Sequence, residues 1–140
     1  MSAETGPVAG VGAVIVEDGR IVLVQRGRGA HTGAWAVPGG KQRFGETMRE
    51  AVAREVLEET GLIVEVGDAV WVGDALDESD PPAWHYVLVD FAATVVGGEL
   101  RAGDDALAAE WVLLEEASDR SLTPTMPSLL ARLRAGEATA

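Results

Sequence analysis

Glycine and proline punctuate this chain repeatedly up to Gly45, and then neither recurs until Gly61. The uninterrupted stretch is rich in good helix formers, carries acids near its start and ends on a glycine suited to a left-handed cap. It therefore predicts a helix over Glu46–Thr60. At about 100° per residue, Val52, Ala53, Val56 and Leu57 fall on one side and are expected to face the core. With Glu55 set at 0°, Glu59 lies at about +40° and Glu58 at about −60°, so three carboxylates share one surface within a turn. Like charges at these spacings repel, and acids late in a helix oppose its macrodipole. The ordinary explanation is a solvated face eased by Arg49 and Arg54. The alternative is a site where bound cations relieve the repulsion.

Around this helix the chain reads as strands. Val11–Val16 and Arg20–Gln25 are β-branched runs separated by Glu17-Asp18-Gly19, a strong hairpin signal that predicts two opening antiparallel strands. Gly27–Gly33 reads as a loop, Trp35–Val37 as a short extended piece, and Gly39-Gly40 as a turn. Ile63–Gly73 and His85–Val96 are further strands, joined by an exposed loop over Asp74–Ala83, and Gly97-Gly98 is expected to turn the chain again. Trp111–Leu114 is one more strand. Leu129, Leu130 and Leu133 mark a last helix beginning near Pro124. Strands around two spaced helices predict a layered α/β sandwich with a mixed sheet. No repeat or linker divides residues 1–140, so one domain is expected, frayed at about 1–7 and 136–140.

Composition narrows the chemistry. There is no cysteine and there are only two histidines, so thiol nucleophiles, disulfides and a histidine-rich zinc site are excluded. Eleven basic residues against 23 acids give a net charge of −12, which disfavours long nucleic acid as a partner. No apolar run approaches a bilayer span, and the N-terminus lacks the basic-then-apolar pattern of a secretory signal. A cytoplasmic protein with no membrane partner is the expectation.

Reading outward from the acidic cluster, Gly40, Glu46, Arg54-Glu55-Val56-Leu57-Glu58-Glu59 and Gly61-Leu62 fall at the spacing of the Nudix box, and every fixed position is matched. Trp35-Ala36-Val37-Pro38-Gly39-Gly40 before the helix and Glu110-Trp111-Val112 later are also similar to that family. The resemblance is sharp over residues 33–62 and continuous over roughly 10–134. It implies a Nudix-type α/β/α sandwich and a phosphoanhydride hydrolase working with Mg²⁺ or Mn²⁺ on a small nucleotide substrate. By that resemblance Glu55 and Glu59 are direct metal ligands together with the Gly40 carbonyl, and Glu58 is a ligand or the general base. Glu46 and Arg54 form an orienting ion pair. A later acid often joins the metal site in the family, and Gly103-Asp104-Asp105 offers Asp105, with Asp104 in reserve.

A diphosphate concentrates negative charge, and attack by water adds more, so catalysis needs cations beside the bridging oxygen. Hard ions of this kind prefer oxygen ligands, which three glutamates supply. For the substrate itself, Arg26, Arg28 and His31 are placed to meet phosphates, and Phe44, Trp84 and Tyr86 to stack on a base, although such residues are ordinarily loop or rim positions. His85 is assigned no role. The Trp84-His85-Tyr86-Val87 strand resembles bacterial members that act on ADP-ribose or related nucleoside diphosphate derivatives. Pro-Gly-Gly before the box and Phe44-Gly45-Glu46 within it are shared with enzymes that remove damaged nucleoside triphosphates. A non-catalytic nucleotide-binding module on the same fold is the remaining alternative. Family members of this size are often dimers, so a homodimer is a further expectation of the resemblance.

Overall fold

A computed structural model describes residues 6–103 and 105–139, with side chains described as far as residue 136. Strand β1 (Val8–Val14) ends just before the fully buried Ile15, and the chain then leaves one sheet for another. β2 (Val16–Glu17) and β3 (Arg20–Arg26) form the hairpin across Asp18 and Gly19, whose φ values of 51° and 75° suit a primed turn. β1 does not pair with β3, so of the expected Val11–Val16 and Arg20–Gln25 hairpin only the end nearest the turn forms. The partner of β1 is β7 (His85–Gly98), which runs parallel to it, with Val8 opposite Tyr86 and Gly12 opposite Asp90. The partner lies more than seventy residues away, beyond the reach of local pattern.

The first sheet has the order β5-β1-β7-β6, where β5 is Gly39–Lys41 and β6 is Leu62–Leu76. Gly39-Gly40, expected as a turn, is therefore an edge strand antiparallel to β1, with Gly39 opposite Gly12 and Gly40 opposite Val11. Gly97-Gly98 likewise still belongs to β7. In the second sheet β3 pairs with β2 and with β4 (Trp35–Ala36) along one edge and with β8 (Ala106–Leu113) along the other. β8 is longer than the Trp111–Leu114 run suggested, and a one-turn helix α2 (Leu114–Ala117) follows it directly.

Alternating side chains send the two faces of the β layer into two cores. Val11, Ala13, Ile15, Val22 and Phe91 meet Ala51, Val52 and Val56 of helix α1 (Met48–Thr60). Val14, Ile21, Leu23 and Val112 meet Met126, Leu129 and Leu130 of helix α3 (Met126–Thr139), which starts two residues after Pro124 and continues over residues where fraying was expected. This is an α/β/α sandwich with a mixed sheet. Fully burying a valine such as Val52 or Val56 contributes about 1.5–3 kcal/mol, so α1 is held firmly onto the sheet.

Helix α1 begins later than Glu46. Thr47 is its cap: the hydroxyl accepts from the Glu50 amide at 3.1 Å, and the Glu50 carboxylate accepts from the Thr47 amide at 2.8 Å. Gly61, at φ 75°, closes the other end. The buried residues are Ala51, Val52, Val56 and Thr60, whereas Leu57 is half exposed. The inward face is thus rotated from the one the apolar residues alone suggest. The rotation turns Glu55 and Glu59 towards the sheet.

Candidate active site

The rotation is possible because β5 lacks side chains beneath the helix. A Cβ on Gly40 would overlap the carboxylate of Glu55, and one on Gly39 would overlap the Val11 carbonyl. Glu59 reaches into the same space and accepts a hydrogen bond from the Gly39 amide at 2.7 Å. Both carboxylates pay in desolvation. Burial pushes the Glu59 carboxyl up to about 7 despite the Gly39 hydrogen bond, and nearby Glu55 and Asp105 push in the same direction while Arg26 opposes them. Burial raises Glu55 as well, reinforced by Glu58 and countered by Arg54.

Arg54 organises the rest of the cluster. Its Nε and Nη2 donate to the two oxygens of Glu46 at 2.7 and 2.9 Å, a bidentate pair. Nη1 donates to Glu55 at 3.0 Å and to Glu58 at 3.5 Å, and Nη2 also donates to the Lys41 carbonyl at 3.0 Å. The Arg54 guanidinium, with help from the Arg43 amide, holds the Glu46 carboxyl down at about 2. One arginine therefore ties the loop before α1 to the Glu55–Glu58 face of the helix.

Glu58 stands apart from the other two acids, half exposed and turned towards Arg54. As the side chains stand, no group of three acidic or histidine residues among those described is gathered closely enough to hold a metal ion. The chemistry of the donor set nevertheless suits a hard cation: two desolvated carboxylates whose negative charge one arginine only partly offsets, above a glycine that leaves them room.

Asp105 is placed beside this cluster by backbone packing. The Gly103 amide donates to the Glu59 carbonyl at 2.8 Å, and a side chain on Gly103 would strike the Glu58 carbonyl, so the loop lies against the end of α1. The Asp105 carboxylate is taken up by Arg28 at 2.9 Å in an exposed pair. Asp104 lies outside the described residues. Arg26 donates to the Ala30 carbonyl at 2.8 Å and acts on Glu59 through space.

The proposed stacking residues divide. Phe44 is fully exposed on the loop between β5 and α1 and packs on nothing. Tyr86 belongs to a ladder in which His31 meets Trp84 edge-on at 6.2 Å, Trp84 meets Tyr86 at 5.9 Å, and the Lys41 ammonium sits 5.9 Å from the Tyr86 ring. His85 bonds Asp74 at 2.8 Å, away from that ladder. Sequence reasoning passed over Lys41 and the buried Asp90. The signal for Asp90 was present, as the one charged residue interrupting the apolar run from Tyr86 to Val96.

Known proteins match this arrangement along most of the chain. Residues 6–133 match the model of the NUDIX domain. An ADP-ribose pyrophosphatase of Methanocaldococcus jannaschii is 42% identical over 105 residues, covering 75% of this chain and 61% of that protein. This chain thus spans under two thirds of that relative's length. A putative 8-oxo-dGTP diphosphatase of Mycobacterium tuberculosis is 36% identical over 124 residues, covering 88% of this chain and 85% of the relative. Among solved structures, a MutT NUDIX hydrolase from Burkholderia pseudomallei superposes with a TM-score of 0.80 at 33% identity, covering 91% of this chain and 98% of that one. With the box residues gathered on α1 and at its two ends, and the sandwich matched over most of its length, this chain belongs to the Nudix hydrolase family.

Proposed function

We propose that this protein is a divalent-metal-dependent pyrophosphohydrolase that cleaves the diphosphate link of a nucleoside diphosphate derivative such as ADP-ribose. The observation that carries the reading is the desolvated Glu55–Glu59 pair above Gly39-Gly40. Such a pair is a net cost to a metal-free fold and becomes favourable beside a cation. Glu55, Glu59 and the Gly40 carbonyl would hold Mg²⁺ or Mn²⁺, with Glu58 joining by a change of rotamer and Asp105 on release from Arg28. When bound, the ion supplies neutralisation of the phosphate charge and a more acidic water.

The chain's own residues do the remainder. Arg54, clamped by Glu46, sets the direction of the Glu55 carboxylate, and Glu58 has the solvent access to take a proton from water. The water oxygen bonds to one phosphorus, the bond from that phosphorus to the bridging oxygen breaks, and two phosphomonoesters leave. Arg26 at the end of β3 and Arg28 on the loop after it would meet the emerging charge. The M. jannaschii relative supports ADP-ribose as the substrate. The fuller coverage of the M. tuberculosis relative favours a second reading, removal of pyrophosphate from a nucleoside triphosphate.

The test is product release from ADP-ribose, sugar nucleotides and (d)NTPs with Mg²⁺ or Mn²⁺, and with chelator. Turnover of at least one of them, abolished by chelator and lowered by orders of magnitude in Glu58→Gln, is expected. A folded protein that turns over none of them would leave the nucleotide-binding module as the better account.

A further inference from the structure

On the face of the first sheet away from α1 runs a strip of β1 with no side chains of its own, covered instead by side chains of β7. Gly10 and Gly12 are consecutive positions on that face of β1, beside Tyr86, Leu88 and Asp90 on β7. A Cβ on Gly10 would lie 2.7 Å from Leu88 Cδ2 and 3.8 Å from the Gly40 carbonyl oxygen. One on Gly12 would overlap Asp90 Oδ1 and come within 3.1 Å of Val37. The strip therefore starts beside the Gly40 carbonyl and the Lys41–Tyr86 pair and ends at Asp90. Two residues along a strand span roughly 6.5 Å, about the width of a nucleobase.

Asp90 is the anomaly of this face. It is only 7% exposed, yet no hydrogen bond to its carboxyl is formed among the described residues. Burial alone pushes it up to about 6. No sealed side-chain oxygen in the described structure lacks a partner, so the partnerless oxygens of Asp90 must keep contact with open space. Its cross-strand neighbour is Trp71, whose indole lies along Gly73 and donates to Ser128 at 3.0 Å. A residue that served packing alone would be apolar here, because an unpaired buried carboxylate weakens the fold.

We propose that Asp90 is the residue that selects the nucleoside half of the substrate, accepting hydrogen bonds from an amino-bearing base that lies over Leu88, where Leu88 and Asp90 lean across the bare Gly10 and Gly12. This rests on the pyrophosphohydrolase reading for its substrate class. A carboxylate offers only acceptors, so it favours adenine, guanine or cytosine, whose amino groups donate, over uracil, whose N–H is flanked by two carbonyls. A site built around such a hydrogen bond discriminates strongly, because the base lacking it leaves the carboxylate buried and unpaired.

Two arms test this. In the first, wild type and Asp90→Leu, which has no acceptor at this position, are compared with Mg²⁺ on ADP-ribose, GDP-glucose, CDP-glucose and UDP-glucose. The variant should raise KM for the amino-bearing substrates at least about tenfold while kcat changes less than about threefold, and its preference over UDP-glucose should collapse. In the second, binding of AMP, GMP, CMP and UMP is measured calorimetrically in chelator, where catalysis plays no part. Wild type should prefer amino-bearing monophosphates and Asp90→Leu should not. Asp90→Leu should also melt at a higher temperature than wild type, which a purely structural Asp90 would not allow. Failure of turnover on every substrate would sink the hydrolase reading while leaving the binding arm to judge Asp90. Unchanged preference in both arms, no preference by wild type in either, or a variant that unfolds would overturn the assignment of Asp90.

Discussion

Replacing Glu59 with glutamine in metal-free protein should stabilise the fold, even though it removes a residue on which activity is expected to depend. The Glu59 carboxyl titrates near 7 in the folded chain against 4.5 for a free glutamate, chiefly through burial. At 1.36 kcal/mol per unit, keeping that side chain ionised inside the protein costs about 3 kcal/mol. Because the folded value is the higher one, the native state binds the extra proton. The cost is absent below about pH 4.5, grows through the interval to 7 and is complete above it. Glutamine keeps an oxygen for the Gly39 amide but brings an amide group that must find partners, a loss of about 1 kcal/mol. The net gain of about 2 kcal/mol corresponds to a rise in melting temperature of roughly 5–10 °C for a chain of this size. Thermal unfolding in chelator at pH 8 and pH 4.5 checks this. A large gain at pH 8 and little at pH 4.5 is expected, and Mg²⁺ should stabilise wild type but not the variant. Earlier melting of Glu59→Gln at pH 8 would refute the argument that desolvated charge is stored at this position.

Arg54→Lys should leave the helix intact but lower kcat about 10–100-fold, because a lysine cannot hold both oxygens of Glu46 while bonding Glu55; steady-state kinetics alongside circular dichroism will show it. Gly40→Ala should abolish turnover in a protein that still folds, since the new methyl group displaces the Glu55 carboxylate; kinetics and the melting curve of the same sample separate the two effects. Thr47→Ala should cost about 1 kcal/mol in chemical denaturation through loss of the helix cap, with little change in kcat.

The extent to which these features were legible follows the range of the interactions that produce them. Helix α1 could be read from the chain because its evidence is local: no proline or glycine, and Gly61 at the end. Its rotation could not. An apolar-inside rule places Leu57 in the core, whereas Gly39 and Gly40 open a gap that admits Glu55 and Glu59, and that gap exists only after β5 has paired with β1. The break at Ile15 was hidden for a similar reason, since one continuous apolar run serves two sheets and the parallel partner β7 is remote. The contact of Arg28 with Asp105 joins residues 77 apart in sequence, so two side chains read as separate phosphate and metal contacts turn out to face each other. Asp90 was visible as a solitary charge, but its meaning depends on the bare glycines of the neighbouring strand.

If one face of α1 grips divalent cations against a phosphoanhydride, crystals soaked in Mn²⁺ and examined for anomalous scattering must reveal the ion there. A manganese peak bounded by the Glu55 and Glu59 carboxylates and the Gly40 carbonyl, and missing from Glu59→Gln crystals, is the predicted result. Manganese bound elsewhere, or persisting at that position in the variant, would contradict it.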